Sequence, residues 1–190
     1  MELLLGIFSA FGLSASAGLN AYIPLLVVGA IGHYFPETLN LAAPFDLLAN
    51  PWILVLLGVL VIIEMVADKV PAVNHINDII QTVIRPVAGA IAFAASANVI
   101  TDINPVLALA CGLLVAGSVH TVKAAAVRPA VTAVSGGTAN IPVSIAEDIV
   151  SLITSILAII LPIIVGTLLI VVFAFGIWWW MNRKAKSQSA

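Results

Sequence analysis

Residues 50–69, NPWILVLLGVLVIIEMVADK, are answered by residues 104–123, NPVLALACGLLVAGSVHTVK. Each stretch opens on Asn-Pro and runs on as an apolar helix through a glycine, Gly58 or Gly112, at the same step from its proline. Each then turns polar, at Glu64 in the first and at Ser118 and His120 in the second. The first continues with His75, Arg85-Pro86, a run of small residues, Ala97-Asn98 and Asp102. The second continues with Arg128-Pro129, another small-residue run, Ala139-Asn140 and Glu147-Asp148. A helical hairpin written twice, with ionisable groups in matching places, is how many membrane permeation proteins are built. The repeat halves are residues 50–102 and 104–148, and a weaker echo links Asn20–Pro24 with Asn140–Pro142.

Composition agrees. Of 190 residues, 62% are apolar and 8% charged, and the mean hydropathy is +1.20. A soluble domain carries about 25% charged residues, and a helix needs about 20 apolar residues to cross a bilayer core. The expected fold is therefore an all-α polytopic membrane protein of about six membrane segments, with a duplicated helical hairpin in parallel repeats and broken or re-entrant helices. Residues 1–182 are expected to form one transmembrane domain and 183–190 a basic tail. No basic stripe suggests nucleic acid, and Cys111 stands alone, which excludes an internal disulfide. Ser14-Ala15-Ser16-Ala17 imitates a signal-peptide cleavage site, but Glu2 stands where a positive charge belongs, so this segment is kept as the first membrane helix.

The first segment, 3–32, is too long for one straight crossing, and Gly12, Gly18 and Asn20–Pro24 offer a place to bend or unwind. Segments at 52–67, 86–100 and 105–122 follow, with an amphipathic piece at 74–84. A fifth segment opens at Pro129 and contains Ser135-Gly136-Gly137-Thr138 and Asn140-Ile141-Pro142, so no unbroken helix fits there. The sixth, 149–181, holds Pro162 and ends in Trp178–Trp180 before Arg183, Lys184 and Lys186. Basic residues favour the cytoplasmic side. They place the C-terminus, Lys69, Arg85, Lys123 and Arg128 there, in an inner (plasma) membrane, with the acid-only loops 33–50 and 100–104 outside. Six crossings satisfy this if 130–146 traverses the membrane as a broken helix.

An ionised side chain at the bilayer centre costs about 2.5–3.5 kcal/mol on insertion scales. Glu64, Asp68, Lys69, His75, Asp78, Arg85, His120, Lys123 and Arg128 must therefore reach the surface, pair with one another or line a wet cavity. Arg85 and Arg128 each precede a proline expected to open a helix, where the helix dipole already favours anions. Two guanidinium groups beside two such ends, with Lys123 and His120, would bind an anionic group. Alternatively, Glu64, Asp68 and Asp78 neutralise the arginines, as a charge switch or as ion pairs that include Lys69. Glu147 and Asp148 would sit at an outer mouth or cap the sixth helix. The unwound stretches would bring Asn20, Ser135 and Asn140 to the pathway, because irregular backbone in a membrane must be buried or line water. His75 and Asp78 share a face, yet the spacing matches no closed metal motif, so neither metal nor cofactor is expected. No catalytic motif occurs, so no enzyme is expected.

Residues 64–89, EMVADKVPAVNHINDIIQTVIRPVAG, and 120–149, HTVKAAAVRPAVTAVSGGTANIPVSIAEDI, resemble the bacterial membrane protein family described as domain of unknown function 4126, as does the opening GLSASAGLNAYIPLL. The likeness covers roughly 5–170 and implies an all-helical membrane protein, with no activity to carry over. Asn74-His75 departs from its more acidic relatives, which weakens any metal reading of His75. The functional expectation is transport of a small solute or ion that carries an anionic group. Lipid flipping or scrambling along the same groove, or a non-transporting scaffold, are the alternatives. The partners are the bilayer and the small solute, ion or lipid head group, and chains this small often dimerise to complete a pathway.

Overall fold

The computed structural model describes the backbone of residues 2–69, 71–100 and 104–188, and the side chains of these except 2–3, 71–76, 78, 97–100, 166, 179–180 and 182–188. Helix makes up 87% of the chain, with no strand among the described residues. The helices are α1 (Glu2–Leu19), α2 (Tyr22–Tyr34), α3 (Pro51–Ala67), α4 (Pro71–Ile100), α5 (Pro105–Val122), α6 (Arg128–Ser135), α7 (Asn140–Ile160) and α8 (Pro162–Gln188). A 3₁₀ turn at Phe45–Ala49 precedes α3, and a π-helical turn at Lys123–Val127 joins α5 to α6.

The local chemistry explains most boundaries. Asn50 Oδ1 accepts from the Trp52 N–H at 2.9 Å, and Asn104 Oδ1 accepts from Val106 at 2.9 Å and Leu107 at 3.4 Å. Each Asn thus satisfies N–H groups left over at a helix start, and the following proline has none to lose. Gly136 (φ 61°) and Gly137 (φ 92°) close the turn between α6 and α7 in a conformation that side chains resist. Pro162, which can neither donate nor tolerate the carbonyl four residues earlier, separates α7 from α8.

Among the described residues, three helical stretches are long and apolar enough to cross a membrane: Ile79–Ser96, the continuous Pro105–Ser135, and Asn140–Ile160. The surface matches that composition. Trp52, Ile62, Leu114 and Val106 are exposed, whereas Ser14, Ser16, Asn20, Glu64 and Arg85 are among the most buried side chains. Polar groups inside and hydrocarbon outside invert the pattern of a soluble domain.

Contacts set the helix directions. Ser9 bonds Ser96 at 2.9 Å and Ser14 donates to the Gly112 carbonyl at 2.7 Å, which lays α4 and α5 along α1. Gly12 faces Ala158 and Val165, while Ser16 bonds Ser151 at 2.8 Å and Ser155 at 2.7 Å, so α7 runs antiparallel to α1. Leu19 shares a groove with Leu169, Val172 and Phe173, so α8 runs parallel to α1. The chain therefore reverses at Leu161–Pro162, and the expected single segment 149–181 is instead two antiparallel helices.

The expected first segment is also two helices. Asn20 and Ala21 leave the helix between α1 and α2. Phe45, beyond the far end of α2, packs against the cluster of Ala10, Phe93, Ala94 and Ala108. That places α2 back beside α1, with its bend at Asn20. Residues 130–146 do not lead away to a far side either. The chain passes Arg128 and returns at Glu147, whose carboxylate lies 3.5 Å from the Arg128 guanidinium. Glu147 and Asp148 are interior to α7, and so cap no helix.

Candidate functional site

Where α1 breaks, seven chain segments meet. The Leu19 carbonyl, left unpaired by the end of α1, accepts from Lys123 Nζ at 3.0 Å. The Ala21 N–H, at the start of α2, donates to the Glu64 carboxylate at 3.0 Å. A cation thus meets a negative helix end and an anion meets a positive one, the sense the helix dipole favours. Between them Asn20 accepts from the Tyr22 and Ile23 N–H groups at 3.2 and 3.1 Å and donates to Asp148 at 2.9 Å.

Around this break lies a continuous ion network. Arg85 donates to Glu64 through Nη2 at 2.9 Å and Nε at 3.1 Å. Asp68 Oδ2 is shared by Arg85 at 3.4 Å, Arg128 at 3.2 Å and Lys123 at 3.6 Å, while Oδ1 accepts from Asn77 at 2.7 Å. Glu147 pairs with Lys123 at 2.8 Å and Arg128 at 3.5 Å, and Lys69 pairs with Asp148 at 3.0 Å. Four cations face four carboxylates among the described residues, so these eight charges sum to zero. Arg85 is 0% exposed and Glu64 1%. Groups this deep survive only because each charge is paired and hydrogen-bonded.

His120 extends the network. Its Nδ1 lies 3.2 Å from Arg85 Nη1, and a guanidinium can only donate. Nδ1 is therefore the acceptor, and Nε2 carries the proton toward Thr82 Oγ1 at 3.3 Å. An open cavity of about 510 Å³ between α4 and α5 is lined by Thr82, His120 and Thr121. On the other side of α5 a groove of about 790 Å³ is lined by Lys123 and Glu147 together with side chains of α8.

Of the residues singled out in the sequence, Asn20, Glu64, Asp68, Lys69, Arg85, His120, Lys123, Arg128, Glu147 and Asp148 come together. Ser135 and Asn140 do not: Ser135 bonds the Val131 carbonyl at 2.6 Å, and Asn140 bonds Thr132 at 3.0 Å, both within the α6–α7 hairpin. The side chains of His75 and Asp78 lie outside the described residues.

The free helix starts expected at the two Arg-Pro pairs differ in the structure. Pro86 lies inside α4, so no free N–H groups flank Arg85. Pro129 also continues a helix, because the π turn before it absorbs the clash: the Arg128 N–H donates to Lys123 O, five residues back. Both guanidinium groups are engaged by Asp68.

Sequence reasoning missed the buried face of α7. Ser144, Asp148, Ser151, Ser155 and Ala158 repeat at steps of four and three, the spacing of a packed seam, but small polar residues do not read as core. Among the described residues, Ser144 Oγ and Gln81 Oε1 are buried without a hydrogen-bond partner, each one turn from a network member, Asp148 and Arg85 respectively. Such atoms are where ordered water is expected.

Asn20→Ala removes both the cap of α2 and a bond to a charged group, and is expected to cost about 2–4 kcal/mol. Asn20→Asp keeps the cap but sets a carboxylate against Asp148, and should be worse. Unfolding in detergent compares them; equal or higher stability of the Asp variant would remove the Asn20–Asp148 bond from the account.

No curated protein and no solved structure matches the chain. The profile of one family does, over residues 7–182, a stretch that takes in every member of the network, and the chain belongs to that family, described as Domain of unknown function (DUF4126).

Proposed function

We propose that this chain is a membrane transport protein in which the ion network at the Asn20 break controls passage. The observation that carries the reading is the break itself. Its two helix ends are bound by Lys123 and Glu64, charges that can exchange partners, with the Asn20 cap between them and two cavities beside. Discontinuous helices whose ends face charged groups at depth are the usual material of transporter sites.

The helix directions support seven passages, with the start of α1 outside and the basic tail inside. Under that arrangement the loops around Phe45 and between α4 and α5 are outside and Lys69, Arg85, Lys123 and Arg128 lie toward the cytoplasm, as the charge bias requires. The hairpin 128–147 then turns at the cytoplasmic end. Duplication is supported by Asn50 and Asn104, which cap α3 and α5 alike, and by Lys69 and Lys123, each nineteen residues further on.

Purified protein in liposomes, tested with small anions, cations and neutral solutes, should carry at least one of them, and Lys123→Gln should change that rate at least tenfold. The mutual pairing of the charges favours a second reading, a non-transporting scaffold. Folded protein that carries no member of the panel would select it.

A further inference from the structure

The groove between α5, α7 and α8 joins two unlike surfaces. Its walls are Val119, Val150, Val172 and Phe173, and Lys123 and Glu147 also line it. The Lys123 side chain is 3% exposed and that of Glu147 11%, so the carboxylate is the more accessible member of the pair. Glu147 Oε2 sits 2.8 Å from Lys123 Nζ and 3.5 Å from Arg128 Nη2, a demonstration of the group this place accepts.

We propose that the groove binds a long-chain carboxylate, whose head group takes the position of the Glu147 carboxylate on Lys123 while its hydrocarbon chain lies along the valines and Phe173. The exchange conserves the ion pair at Lys123, since one carboxylate replaces another. A small soluble anion would face the same exchange with nothing to fill the groove, so the chain supplies the preference. A cationic amphiphile would fill the walls but offers Lys123 no acceptor, so it cannot take the place of the Glu147 carboxylate. Glu147 acts as the internal competitor, tethered beside the site. The proposal deepens the transport reading and rests on it for the claim that the ligand is cargo; binding is measured separately.

Gly176 gives a test that leaves the network untouched, because a Cβ there meets nothing within 4 Å and the residue lines the groove. Radiolabelled palmitate is bound to the protein in nanodiscs, with butyrate and hexadecyltrimethylammonium as competitors. Saturable binding is expected, reduced at least tenfold by Gly176→Phe and strengthened at least threefold by Glu147→Gln, with neither competitor displacing it. Binding unchanged by Gly176→Phe, weakened by Glu147→Gln, or displaced equally by the cationic amphiphile would overturn the site. Palmitate binding without flux of any solute would leave the site standing and remove transport. Solute flux without palmitate binding would do the reverse.

Discussion

Asp68→Ala is expected to destabilise the protein by about 3–5 kcal/mol, the cost of breaking a buried ion pair from one side. Asp68 is the only carboxylate among the described residues that touches three cations: Arg85 at 3.4 Å, Lys123 at 3.6 Å and Arg128 at 3.2 Å. Its side chain is 1% exposed, so water does not take over the pairing. Asp68→Asn should recover little, because the amide restores an acceptor for Asn77 but not the charge. Among the described residues three carboxylates would then face four cations in a site screened from solvent. Removing a cation should therefore help. Asp68→Asn with Arg128→Gln is expected to be more stable than the two single effects added, by about 1–3 kcal/mol. Arg128 is chosen because it sits at the edge of the network, 10% exposed. Chemical unfolding in detergent micelles gives all four stabilities. Strict additivity would mean that the two side chains do not share one electrostatic site.

What could be seen in the sequence was what depends on neighbours along the chain. Asn50 and Asn104 act on N–H groups two and three residues away, so their caps were legible. So were the break at Asn20 and the Gly136-Gly137 turn, where residue type and backbone demand coincide. The proline reading failed because Pro86 and Pro129 obey a local preference for helix starts that tertiary packing overrides. At Pro86 the helix runs on against α5, its ring 3.7 Å from where a Cβ on Gly117 would lie. At Pro129 a π turn, which has no sequence signature, carries the helix through. That Glu64, Asp68, Lys69, Arg85, His120, Lys123 and Arg128 gather was legible because such residues cannot face lipid; that Glu147 and Asp148 join them, instead of an outer mouth, was not. Who pairs with whom was not: the Arg128–Glu147 contact depends on a return of the chain that charge counting cannot see.

Gly58 and Gly112 occupy equivalent places in the two matched stretches, and the structure gives them opposite fates. A Cβ at Gly112 would lie 2.5 Å from the Gly89 carbonyl oxygen, 2.6 Å from Phe93 Cβ and 2.7 Å from Ala90 Cα. Two of those are backbone atoms of α4, which cannot turn aside as a side chain can. The Gly112 carbonyl also accepts from Ser14 at 2.7 Å, so α1, α4 and α5 are locked at one point. Between helices in lipid there is no hydrophobic drive to compensate a lost fit, since lipid tails are as apolar as the side chains; close approach is the attraction. Gly112→Ala is expected to cost about 1–3 kcal/mol through overpacking. Gly112→Leu cannot be housed without separating α4 from α5, and should abolish the folded, monodisperse species on size exclusion. At Gly58 a Cβ meets nothing within 4 Å. Gly58→Leu should therefore be neutral or stabilising by up to about 1 kcal/mol, the gain in helix propensity over glycine. If Gly58→Leu proved as damaging as Gly112→Leu, α3 would have to pack through its glycine as α5 does, and the likeness of the two stretches would extend to their surroundings.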